Sequence, residues 1–166
     1  MIIKIHFSIL ITYRLHYKTR CFDSLNWKNQ KKKKALLLVQ KESQKITDEA
    51  FTAAIQQISL ISFGKPIKLH SEFVSNIWGS KVTAFEYSIE IPQIETQDLA
   101  KIKNELTEKL QAYANEKHLA AYKEHPVFVV SDIWIFAGVL HVDVSHITNA
   151  ETWSYVEDVA KSDRTN

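Results

Sequence analysis

Glycine and proline are scarce, with three of each in 166 residues. A loop that cradles phosphates needs several glycines close together. No GxGxxG, GxxxxGK[ST] or GxSxG pattern occurs. Cysteine occurs once, as Cys21, so no disulfide can close within the chain. A lone thiol fits a reducing compartment, and a cytoplasmic location is the expectation. Arg20 adjoins Cys21 but no base does, so a nucleophilic role has no support in the sequence. HxH, HExxH and CxxC spacings are missing too, which argues against a structural zinc site.

No apolar run reaches the roughly 18 residues of a membrane span, and no membrane partner is expected. The opening stretch MIIKIHFSILITYRLHYKTR is interrupted by His6 and Ser8 and has no small-residue cleavage site. It does not read as a secretory leader. It has no acid before Asp23, as a mitochondrial presequence would, but its Ile and Tyr content and its two Arg argue against one.

What is present is an ordinary globular composition, 45% hydrophobic and 24% charged, in a length that suits one domain. The charge is unevenly spread. Residues 1–45 hold eleven Lys and Arg against Asp23 and Glu42, a net +9; the remainder holds ten basic and seventeen acidic residues, a net −7. This predicts a basic, poorly ordered arm (1–34), a single acidic domain (35–162) and a frayed tail (163–166). The arm has three readings. Lys31, Lys32, Lys33 and Lys34, with Tyr13, Tyr17, Phe22 and Trp27 interleaved upstream, suit nucleic-acid binding. The arm also suits a tail with no specific role. Its Ile, Lys, Asn and Tyr bias equally suits translated AT-rich upstream DNA that is not part of the working protein.

Within the domain, ALLLVQ (35–40) is a short apolar run that suits a buried strand, though its length alone does not exclude a helix. Thr47 then caps a helix carrying Phe51, Ala54, Ile55 and Ile58 at helical spacing. Two alternating runs, 67–77 and 81–91, flank Trp78-Gly79-Ser80 and predict a hairpin. Thr96 caps a long helix, 97–122, with Leu99, Ile102, Leu106, Leu110, Tyr113 and Ala121 as its apolar stripe. After Pro126 comes a second hairpin, then the capping box Thr148–Glu151 and a short helix with Trp153, Val156 and Ala160 on one side. The fold class expected is α+β. It is an antiparallel sheet of about four or five strands with two or three helices on one face, in ferredoxin-like order β-α-β-β-α-β with a strand and helix added.

The second hairpin, SDIWIFAGVLHVDVSH (131–146), carries the sharpest functional question. A two-residue turn at Ala137-Gly138 pairs Phe136 with Val139, Trp134 with His141, and Asp132 with Asp143. Alternation puts Ser131, Ile133, Ile135, Leu140, Val142 and Val144 on a core face, with His146 at its end. Asp132, Trp134, His141 and Asp143 fall on the other face. Opposed carboxylates have Cβ atoms ~4.5–5.5 Å apart, and like charges so placed repel. Water can screen them, a divalent metal can bridge them, or they can share a proton. A solvated face is the first reading. A metal site or an acid/base pair with His141, with Glu86 and Glu90 as further ligands if the faces adjoin, is the alternative.

No cofactor is expected beyond that metal. The leading functional expectation is a non-enzymatic binding or assembly module that self-associates, since no catalytic constellation is strong and the sheet has few elements to hide its second face, with Trp78 and Trp134 as contact anchors. The alternatives are a small metal-dependent or acid/base enzyme using Asp132, His141 and Asp143, and nucleic-acid binding confined to residues 1–34.

Overall fold

The computed structural model describes residues 2–61, 69, 71–74, 81–91 and 94–162, with side chains from Trp27 onward. The expected anchor Trp78, the Trp78-Gly79-Ser80 turn and the tail 163–166 lie outside the described residues. The chain divides into two compact units, Met1–Val39 and Gln40–Asn166.

Helix α1 (Ile2–Ile55) supplies the described residues of the first unit and the start of the second. Residues 2–34 are helical. Lys31 to Lys34 are exposed, and the Lys31 ammonium lies 4.3 Å from the centre of the Trp27 ring. Leu37, Leu38 and Val39 are exposed as well. The strand expected at 35–40 is therefore corrected to helix. Lys, Leu, Gln, Glu and Ala dominate 31–50, and all are strong helix formers. Thr47 is not a cap: it lies inside α1, buried, with its hydroxyl donating to the Ser43 carbonyl at 2.7 Å.

The described residues of the second unit hold four strands: β1 (Ser71–Phe73), β2 (Ala84–Glu90), β3 (Phe128–Phe136) and β4 (Val139–His146). They form one sheet in the order β1-β2-β4-β3, with every pairing antiparallel. Helix α2 (Leu99–Glu116) joins β2 to β3, and α3 (Ala150–Ser162) follows β4. The α+β class is as expected. The element order among the described residues is α-β-β-α-β-β-α, so the ferredoxin-like order lacks its first strand. What remains of it is β2-α2-β3, two strands running the same way with β4 between them.

The helices do not share one face. Phe85, Tyr87 and Ile89 of β2 and Leu140, Val142 and Val144 of β4 pack against Phe51, Ala54 and Ile55 of α1 and Ile102, Leu106 and Leu110 of α2. Phe51 stacks on Tyr87 with ring centres 3.9 Å apart. Ala84 points the other way and joins Val82, Ile147, Tyr155 and Val156 in a second, smaller cluster. Helix α3 therefore covers the opposite face of the sheet.

Helix α2 is shorter than the 97–122 expected, and Ala121 lies beyond it. Its entry is a 3-10 turn, Thr96–Asp98, capped reciprocally by Glu95 and Asp98 rather than by Thr96. At the start of α3 the Asn149 carboxamide oxygen accepts from the Thr152 N–H at 2.8 Å, so Asn149, not Thr148, caps that helix.

The β3–β4 register is the one the alternation predicts. Phe136 pairs with Val139, Trp134 with His141 and Asp132 with Asp143. Ala137 and Gly138 both have positive φ, 51° and 80°, as a type I′ turn requires. A β-bulge between Val130 and Asp132 corrects one detail. It inserts Ser131, whose hydroxyl reaches Ser145 Oγ at 3.1 Å and the Asp143 carbonyl at 3.2 Å. Ser131 thus joins the face opposite the main core.

Candidate functional site

The strand registers bring one carboxylate from each strand into a single row. Glu72 pairs with Glu86, Glu86 with Asp143, and Asp143 with Asp132. Directly paired residues point to the same side of a sheet, so all four stand on the α3 face. The two hairpins' polar faces do adjoin, as a four-residue site would need.

The row is not uniformly wet. Glu72 is exposed, Glu86 and Asp132 are half-buried, and Asp143 is only 7% exposed. The solvated-face reading is thus corrected for Asp143. Tyr155, projecting from α3, lies over it, and its hydroxyl donates to Asp143 Oδ2 at 3.2 Å. Asp143 Oδ1 is buried with no hydrogen-bond partner among the described residues. Burial pushes the Asp143 carboxyl up to about 6. The Tyr155 hydrogen bond and His141 work against that rise, while the charges of Glu86 and Asp132 add to it. Burial, reinforced by the Asp143 charge, also holds the Tyr155 hydroxyl well above its ordinary range.

Asp132 turns aside from its neighbour. Its Oδ1 accepts the N–H of Ile133 at 2.7 Å. Two residues along each strand, Ser88, His141 and Trp134 form the adjoining row. His141 Nδ1 lies 2.8 Å from Glu86 Oε1 and 3.2 Å from Ser88 Oγ. Its ring stacks on Trp134, centres 4.9 Å apart and 5° from parallel. So the structure does bring Asp132, Trp134, His141 and Asp143 together, but each polar group is engaged differently. Among the described residues no three His, Cys, Asp or Glu are placed to hold a metal ion.

His146 falls on the main-core face, as its position in the alternation requires. It is buried, faces Phe128 with ring centres 5.0 Å apart, and its Nδ1 lies 2.9 Å from Ser43 Oγ of α1. Burial lowers its pKa to about 4, so the imidazole is neutral in the fold.

Three members of the site escape a reading of the hairpin by itself. Glu86 and Glu72 are visible only once β1, β2 and β4 are ordered side by side. Tyr155 is missed because the apolar stripe Trp153–Val156–Ala160 passes it by, whereas the buried side chains of α3 are Thr152, Tyr155 and Val156.

Beside this site, a groove of about 720 Å³ runs between α2 and α3 at the start of β3. Ala112, Pro126, Phe128, Trp153 and Val156 form its apolar lining, and His125 stacks on Trp153 at 4.0 Å. No helix among the described residues is long and apolar enough to cross a membrane. No protein-family model, curated protein or solved structure matches the chain.

Proposed function

We propose that the protein is a non-enzymatic binding module that self-associates through the outer edge of β3. The observation that carries this reading is the contrast between the two sheet edges. Among the described residues the edge strand β1 has three residues and carries Glu72, a short charged edge of the kind that resists pairing. Edge strand β3 has nine, with one charge, and among the described residues no strand lies on its other side. The bulge at Ser131, and the Lys103 ammonium 3.4 Å from the Ser131 carbonyl, blunt its first half. Asp132 to Phe136 remain. Phe136 is 71% exposed, and Trp134 stands two residues before it on the same, α3 face. An antiparallel edge is complementary to its own copy, so a two-fold pair follows without a second partner.

Sedimentation velocity over a range of concentrations tests this. A dimer that Phe136→Lys or Trp134→Lys returns to monomer supports it. A wild-type chain that stays monomeric at high concentration overturns it.

A second reading, a small acid/base enzyme, draws on one observation: a carboxyl raised to about 6 beside a histidine–carboxylate pair. In that reading Asp143 moves the proton and His141, set by Glu86, is its partner. Loss of a detected turnover in Asp143→Asn, with the fold intact, is the result that would favour it.

A further inference from the structure

We propose that α3 is a proton-responsive cover on the sheet, held closest when the Glu86–Asp143–Asp132 row binds a proton and loosened as that proton leaves.

Like charges on neighbouring strands repel, and water normally screens them. Here the middle member cannot use water, because Tyr155 and the second core cluster lie over it. The ionised row therefore opposes the docking of α3. A proton on Asp143 removes the central charge and turns the unpartnered Oδ1 side into a potential donor toward Glu86 or Asp132. Lifting α3 lets Asp143 hydrate and titrate in its ordinary range, so docking and protonation are linked. The raised carboxyl of Asp143 agrees with this geometry.

The groups facing Asp143 are few. They are Glu86 from β2, Asp132 from β3, His141 from β4 and Tyr155 from α3, with Glu72 at the far end of the row. The charges on α3 point away: Glu151 pairs with Lys81, Asp158 with Lys161, and Glu157 accepts from Trp153 Nε1. The first turn of α3 is fixed independently. Thr152 Oγ1 lies 3.0 Å from Thr83 Oγ1 and 3.0 Å from Asn149 Oδ1. Motion would thus pivot on that turn and swing Tyr155 and Val156. Trp153 and Val156 also wall the groove beside β3, so loosening α3 would reshape it.

Amide hydrogen exchange of the full chain tests the proposal, with protection factors corrected for intrinsic exchange at each pH. Between pH 4.5 and 7.5, protection of α3 amides in wild type should fall by up to about 25-fold, the ratio set by a carboxyl that moves from its ordinary value to about 6 on docking. Protection of α2 amides, on the other face, should not fall. In Asp143→Asn the α3 drop should vanish. In Glu86→Gln, which leaves Asp143 ionisable with one fewer neighbouring charge, it should shrink. The proposal is overturned if α3 and α2 change together, or if the α3 drop persists undiminished in both variants.

Discussion

Asp143 and His146 lie three residues apart on β4, on opposite faces, and their buried states pull stability in opposite directions with pH. Asp143 is raised from 3.8 to about 6 in the fold. The folded state then holds a proton more tightly than the unfolded chain, so its contribution is greatest below about pH 4 and is lost as pH rises to 6. His146 is lowered from 6.5 to about 4. There the unfolded chain binds the proton more tightly, so stability is intact above about pH 6.5 and is lost as pH falls toward 4. Going from pH 7.5 to 4.5, linkage assigns about 2 kcal/mol of gain to Asp143 and about 2.5 kcal/mol of loss to His146. Taken alone, these two groups nearly cancel, and the wild-type profile should be shallow. Asp143→Asn should unmask the histidine. This variant should be more stable than wild type at pH 7.5 by up to about 3 kcal/mol, then lose about 2.5 kcal/mol on acidification. For a chain of this size that loss is on the order of 5–10 °C in Tm. His146→Gln should reverse the slope, gaining stability toward pH 4.5. Thermal or urea unfolding at the two pH values, on wild type, both single variants and the double variant, reads the outcome. Equal acid slopes in wild type and Asp143→Asn would refute the opposition.

Four other perturbations follow from the geometry. Ala137 sits at φ 51° in the β3–β4 turn, a region costly for a residue with a Cβ, so Ala137→Gly should stabilise by roughly 0.5–1 kcal/mol in urea unfolding. Gly138→Ala should destabilise through backbone strain alone, since no atom lies within 4 Å of the added Cβ. Thr152→Val removes the hydroxyl that accepts the buried Thr83 N–H at 3.1 Å, and should cost about 1–3 kcal/mol by the same measurement. Leu106→Ala, at a fully buried position between α2 and the sheet, should cost about 2–5 kcal/mol; a loss under 1 kcal/mol would mean that α2 does not pack where described.

The parts of the fold legible in the sequence are those whose periodicity involves apolar residues. The β3–β4 register follows from two alternating runs around Ala-Gly, and each pair from Asp132–Asp143 to Phe136–Val139 is as the alternation predicts. The α2 stripe at Ile102, Leu106 and Leu110 is read from its spacing in the same way. The start of the domain is not. The inward positions of α1 there are Gln40, Ser43, Thr47, Ala50, Phe51 and Ala54, at helical spacing but polar in the first half. A search for apolar period sees only ALLLVQ, whose Leu37, Leu38 and Val39 are the exposed residues of that turn. Five apolar residues in a row fit a strand as well as a helix. The buried polar positions have specific partners, Ser43 with His146 and Gln40 with the Val82 carbonyl at 3.5 Å, and those partners come from elements far along the chain.

The same distinction governs the site. Alternation places Asp132 and Asp143 opposite each other, but whether they sit in water depends on what lies above them. That is decided by α3, which the chain reaches only after β4, and by Tyr155 rather than by the apolar stripe of that helix. The charge row also needs β1 and β2 beside β4, an ordering that no single hairpin specifies. Local spacing therefore gives the members of a face, while tertiary cover gives their chemistry. A carboxylate open to water titrates in its ordinary range; with Tyr155 over it and Glu86 and Asp132 beside it, Asp143 is raised to about 6. Removing the cover rather than the charge separates the two causes. Tyr155→Ala would readmit water to Asp143 while leaving Glu86 and Asp132 in register. If burial is the larger cause, the Asp143 carboxyl in that variant should titrate closer to 4 by carbon-detected NMR. A value that stays near 6 would assign the shift to the neighbouring charges instead.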